Sequence, residues 1–124
     1  MSYIPAALRR RVAERASHRC EYCLLHDEDG YLPHEVDHVY AEKHGGKTTE
    51  DNLCLSCITC NRYKGSDLAS LDPETGEPVL LFHPRRDRWA EHFELDGPAI
   101  RPLTSQGRAT IRLLHMNDPE RLLE

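Results

Sequence analysis

A chain of 124 residues is the length of one domain with a modest core, since about two-thirds of the unfolded surface is buried at that size. At 39% hydrophobic residues and a mean hydropathy of −0.66 such a core has little to spare, so a metal tying distant segments together would add stability. The net charge of −5 excludes a global positive field for nucleic acid but leaves local phosphate contacts open. The longest apolar run, about Val79 to Phe82, excludes a membrane span and a signal-peptide core, so a cytoplasmic protein with no membrane partner is expected.

In chain order, Pro5 to His18 reads as a helix. Pro5 suits a first-turn position, and Leu8, Val12 and Ala16 form a narrow apolar stripe. Arg9, Arg10, Arg11, Arg15 and Arg19 give its other faces a positive cast, read as solvated ahead of phosphate-contacting. Leu24 to Pro33, with Asp27-Glu28-Asp29-Gly30, predicts an exposed loop. His34 to Tyr40 and Leu53 to Leu55 predict a β-hairpin with Gly45-Gly46 in its connection. Asn61 to Leu71 predicts a helix with Cys60 near its N-terminus. A turn over Asp72 to Pro78, a strand over Val79 to His83, a Gly97-Pro98 turn near Trp89 and Phe93, and a Thr104-capped helix over Gln106 to Met116 complete the order. Residues 72–124 read as an accessory α+β layer over a core of residues 20–65, the whole chain forming one domain.

Five cysteines is an odd number, and four of them fall in two CxxC pairs, Cys20-Glu21-Tyr22-Cys23 and Cys57-Ile58-Thr59-Cys60. Each pair presents two thiolates from a tight turn, and two pairs complete a tetrahedral zinc shell. Disulfides are disfavoured by that spacing, Cys54 is left over, and pairing Cys54 with Cys57 is the competing register. Between the pairs lie Glu35-Val36-Asp37-His38-Val39, Gly45-Gly46 and Asp51-Asn52-Leu53, and Asn61 follows Cys60 directly.

In that ordered set, CxxC, Val-Asp-His-Val, Gly-Gly, Asp-Asn-Leu, CxxC-Asn and Lys-Gly, the stretch Cys20 to Gly65 resembles the HNH endonuclease family. The resemblance implies an α+β fold with a small ββα-metal, treble-clef-like core around a structural Zn2+, flanked by an N-terminal helix and a C-terminal α+β extension. It implies the register Cys20, Cys23, Cys57 and Cys60 for the zinc. It implies His38 as the general base, since a neutral imidazole can take a proton from water near neutral pH. It also implies Asp37 and Asn61 as ligands of a catalytic divalent ion, and Asn52 as the residue that holds the hairpin loop and orients His38. Asn61 departs from the family's usual final histidine, and an all-oxygen pair favours Mg2+ or Mn2+.

The implied activity is metal-assisted phosphodiester hydrolysis, on DNA ahead of RNA. Adjacent strand residues face opposite sides, so Asp37 and His38 share a site only where the strand ends or twists. Arg62, Lys64, Arg85, Arg86 and Arg88 are candidates for nucleic-acid contact, against the plainer reading of solvated surface. Two other classes fit the same residues: a zinc-dependent nucleic-acid-binding module without turnover, and a structural zinc protein that docks another protein. Oligomeric state and sequence specificity are not legible.

Overall fold

The computed structural model describes residues 3–122. Helix α1 (Ala6–Arg15) starts after Pro5 and buries Val12 against the first hairpin. It ends three residues short of the expected His18 because Ser17 and His18 take left-handed backbone conformations, φ 55° and 60°, and turn the chain into the first CxxC. Arg15 donates to the carbonyls of Glu50 and Leu53, Arg9 to that of Ile4, and Arg11 pairs with Glu50, so much of the arginine face secures α1 to its surroundings.

Strands β1 (Glu35–His38) and β2 (Leu53–Ser56) pair antiparallel, Asp37 opposite Cys54 and His38 opposite Leu53. β2 is buried along its whole length, with Leu53 and Leu55 packing on Val12 and Ile4 beneath α1. Helix α2 (Ile58–Lys64) grows directly out of the second CxxC, Cys57 serving as its N-cap with Sγ accepting from the Cys60 amide. The expected helix over Asn61 to Leu71 is corrected here at both ends. It begins three residues earlier, and Gly65 at φ 51° stops it. Ala69–Leu71 is instead strand β3, pairing with β4 (Pro78–Leu80), itself shorter than the expected Val79 to His83.

The remaining elements are α3 (Trp89–His92), β5 (Phe93–Asp96) and β6 (Ala99–Pro102) joined through Gly97, α4 (Ser105–Leu114) and α5 (Pro119–Leu122). Thr104 caps α4 as expected, its Oγ1 accepting from the Gly107 amide at 3.0 Å. α4 packs on α2, β3, β4 and β6. One hydrophobic cluster runs from Cys20, Tyr22, Val39, Cys54, Cys57 and Cys60 into Phe82, Phe93, Ile100, Leu114 and Met116, so the C-terminal layer rests on the cysteines themselves. Trp89 closes that contact, its indole N–H donating to the Tyr22 carbonyl at 2.8 Å.

The β3–β4 turn is fixed by Asp72, a fully buried carboxylate. It accepts from the Glu74 amide, the Thr75 hydroxyl and both Nε and Nη2 of Arg108 on α4. Arg108 and these donors hold its carboxyl well below the usual carboxylate range. A depressed folded-state pKa stabilises the fold fully above the unfolded value of about 3.9, and the benefit fades as pH falls through the lower folded value. Asp72→Asn is therefore expected to lower the melting temperature at pH 7 and to flatten its decline between pH 5 and pH 2, measured by circular dichroism.

Candidate metal centre and active site

The two CxxC turns converge. Sγ atoms of Cys20, Cys23, Cys57 and Cys60 all lie within 4.8 Å of one another, with Cys23 to Cys57 at 3.7 Å. Four sulfurs at 2.3 Å from a tetrahedral ion stand about 3.8 Å apart, so the donor set has the size and chemistry of a zinc shell. Cys20, Cys57 and Cys60 are buried and Cys23 is half-buried. Amide N–H groups of Cys23 and Cys60 point at the sulfurs three residues before them, as in a thiolate-stabilising turn. Thiol hydrogen bonds from Cys20, Cys23 and Cys60 pull the Cys57 pKa far down, while the same sharing pushes Cys23 and Cys60 up. Cys54 stands apart, 3.8 Å from the Tyr22 hydroxyl, and burial pushes its thiol up to about 12. The four cysteines can thus hold a zinc ion, in the register expected from the resemblance.

Above this cage the hairpin presents its polar residues. Strand alternation puts Glu35 and Asp37 on one side of β1 and Val36 on the other, where it packs beneath α1. His38 is the last residue of β1 and still pairs with Leu53, and the Val39 amide continues the pairing to the Asn52 carbonyl at 2.8 Å. α2 packs across β1 and brings Asn61 to Glu35, the Asn61 amide N–H donating to Glu35 Oε2 at 2.8 Å. That bond leaves Oδ1 as the remaining side-chain acceptor of Asn61. Burial pushes the Asp37 carboxyl above the usual range, against the opposing pull of the His38 amide and the nearby Lys64 ammonium.

His38 Nε2 lies 2.9 Å from the hydroxyl of Thr48 in the connection between the strands. Asn52, 8% exposed, accepts from the Tyr40 amide and donates to the carbonyls of Tyr40 and Lys47, each at 2.9 Å. It holds the loop as expected, but the hydrogen bond to His38 comes from Thr48 and not from Asn52. Thr48 carried no motif signal. Gly46 is fixed by the same packing, because a Cβ there would stand 1.7 Å from the Tyr40 carbonyl oxygen and 2.8 Å from Asn52 Nδ2.

The basic candidates separate. Lys64 is 4% exposed and donates to the Val39 carbonyl at 2.7 Å, so it ties α2 to the end of β1 and is unavailable to phosphate, contrary to expectation. Its position four residues after Cys60 places both on the inward face of α2, a signal present in the sequence. Arg85 is likewise consumed, its guanidinium pairing with Glu21 in the first CxxC. Arg62, Arg86 and Arg88 are exposed. Arg86 lies over the Tyr40 ring at 5.0 Å, and with Lys47 and Thr49 it lines a groove of about 400 Å³ along the Gly45-Gly46 loop.

A two-stranded hairpin and a following helix, with Asp-His closing the first strand, Asn on the helix and four thiols beneath, define a ββα-metal domain. The model of the HNH endonuclease family matches residues 20–67 of the chain. Over 98% of its length the chain is 26% identical to the Septu protein PtuB of Bacillus thuringiensis, and over 57% it is 30% identical to the Septu protein PtuA of Bacillus mycoides strain KBAB4. It spans 44% of the length of the first relative and 12% of the second. No solved structure matches it. No described helix is long and apolar enough to cross a membrane.

Proposed function

We propose that the chain is a metal-dependent endonuclease that hydrolyses phosphodiester bonds in DNA, with residues 1–124 acting as one domain on a structural zinc. The reading is carried by the His38 imidazole, held through Nε2 at the end of β1 next to Asp37 in the chain, with Asn61 bonded to Glu35 on the same strand. Thr48 at Nε2 leaves Nδ1 to accept the proton of the attacking water, provided Nε2 carries the ring proton and donates to the hydroxyl. Asp37 and the Asn61 amide oxygen are the residues that would hold a divalent ion, and Glu35 orients the amide. Two hard oxygen donors suit Mg2+ or Mn2+. When bound, that ion would supply charge stabilisation at the phosphoryl oxygens and at the leaving 3′ oxygen. Asn52 keeps the loop, and with it Thr48, in register.

Arg86 and Lys47 lie along the groove beside this loop, and Arg62 and Arg88 offer further exposed cations. Local contacts of this kind are compatible with a net charge of −5, because phosphate affinity follows the few charges that touch the backbone. The expected products carry 5′-phosphate and 3′-hydroxyl ends.

Supercoiled plasmid incubated with zinc-loaded protein in Mg2+ or Mn2+ is expected to be nicked or linearised into ligatable ends, and EDTA is expected to stop the reaction. Thr48→Val keeps the side-chain shape and removes the partner of Nε2. It is expected to lower the cleavage rate by about 10- to 100-fold, the range of an orienting partner, with zinc content unchanged. A wild-type protein that retards DNA at low salt but never cuts it would favour the binding module without turnover.

A further inference from the structure

We propose that Arg121 is a positioning residue for the zinc centre, an outer charge clamp that makes metal retention depend on the C-terminal helix α5. Four thiolates around one dication carry a net charge of about −2, and three of the four cysteines are buried. Buried charge needs a counter-charge or directed hydrogen bonds. The amides of Cys23 and Cys60 supply part of this. Among the described residues, Arg121 is the only cationic side chain bonded to these sulfurs, with Nη2 at 3.2 Å from Cys60 Sγ and 3.5 Å from Cys57 Sγ.

The same guanidinium is anchored from its other arm. Nη1 donates at 2.6 Å to the Leu114 carbonyl in the last turn of α4, where orphan carbonyls and the negative end of the helix dipole favour a cation. The Arg121 amide bonds to the Asp118 carbonyl, and Asp118 in turn holds His115 at 3.0 Å, so the backbone that presents the fork is itself tied to the end of α4. One guanidinium therefore links Cys57 and Cys60 at the start of α2, the end of α4 and the short α5. A planar fork can serve three such acceptors at fixed angles, which an ammonium does less well.

The placement also bears on access. Cys23, the half-buried ligand, opens on a recess of about 280 Å³ that Arg121, Arg19 and Met116 help to line. Arg121 thus shares with Cys23 the recess through which a chelator can approach the cage. Removing that side chain would both uncover the sulfurs and leave their charge uncompensated, and both effects speed metal loss.

The test uses the full chain loaded with zinc, with 4-(2-pyridylazo)resorcinol as the metal acceptor, and is independent of nuclease activity. Arg121→Met keeps the aliphatic stem and removes the charge, whereas Arg121→Lys keeps the charge and loses the fork. Arg121→Met is expected to release zinc about 10- to 100-fold faster than wild type, with Arg121→Lys between the two. Cobalt-substituted Arg121→Met is expected to show a shifted sulfur-to-cobalt charge-transfer band, which altered packing away from the sulfurs would not produce. Should Arg121→Met fail to fold, wild-type release accelerating with added NaCl, and Arg121→Lys releasing faster than wild type, would carry the same conclusion. Equal release rates and spectra in wild type and Arg121→Met would overturn the proposal. So would Arg121→Lys behaving no better than Arg121→Met, or a wild-type protein that binds no zinc.

Discussion

Cys57→Ser is expected to cost the protein its fold. A structural zinc contributes on the order of 10 kcal/mol to small domains, comparable with the entire 5–15 kcal/mol stability of a typical chain. Cys57 does more than ligate. It caps α2 through Sγ and follows directly on β2, so the hairpin, the helix and the cage meet at this one residue. The cage in turn lies inside the cluster formed by Tyr22, Phe82, Phe93 and Leu114, so loosening it exposes the centre of the core and not a periphery. Cys54→Ser is the informative control, because Cys54 is equally buried three residues away but lies outside the cage. Its replacement buries a hydroxyl where a thiol was, a cost of about 1–3 kcal/mol with zinc retained. The measurement is thermal melting by circular dichroism together with zinc content per chain. Unchanged melting and full zinc in Cys57→Ser would contradict the assignment.

Asp37→Asn is expected to separate activity from stability. Loss of one carboxylate ligand at the proposed divalent site removes several kcal/mol of charge organisation, so cleavage should fall by about 10²- to 10⁴-fold. Stability should move the other way. Burial raises the folded-state pKa of Asp37 above its unfolded value, so ionisation is less favourable in the fold, and the cost is fully present once pH exceeds the folded value. At pH 7 the neutral amide escapes that cost, and the variant should melt at or above the wild-type temperature. Plasmid cleavage and melting curves on the same preparations check both halves. A variant that cuts at the wild-type rate would remove Asp37 from the ligand set.

The parts of the fold legible in the sequence are those fixed by chemistry close along the chain. The two CxxC turns, the hairpin bracketing Gly45-Gly46 and the Thr104 cap each follow from a few neighbouring residues, whereas the loop role of Asn52 is legible only through the family resemblance. What escaped depends on partners far apart in sequence. Ala69-Ser70-Leu71 has the composition of a helix end and becomes a strand because β4 lies beside it and Gly65 has already turned the chain. Arg85 and Lys64 read as surface cations until Glu21 and the Val39 carbonyl are brought to them. Thr48 and Arg121 belong to no motif, and their roles appear only once the loop meets His38 and α5 reaches the thiols. The spacing of Cys60 and Lys64 is the exception, a helical i, i+4 relation that already placed the lysine on the cysteine face.

The central claim, a nuclease that uses His38 as its base, is met most directly by cleavage of supercoiled plasmid in Mg2+ and Mn2+. Wild type is compared with a His38→Ala protein shown to be folded and zinc-loaded. The expected result is ion-dependent cutting by wild type and loss of at least about 10²-fold in the variant, the range of a missing general base. Cutting by His38→Ala at the wild-type rate, or no cutting by either protein with either ion, would contradict it.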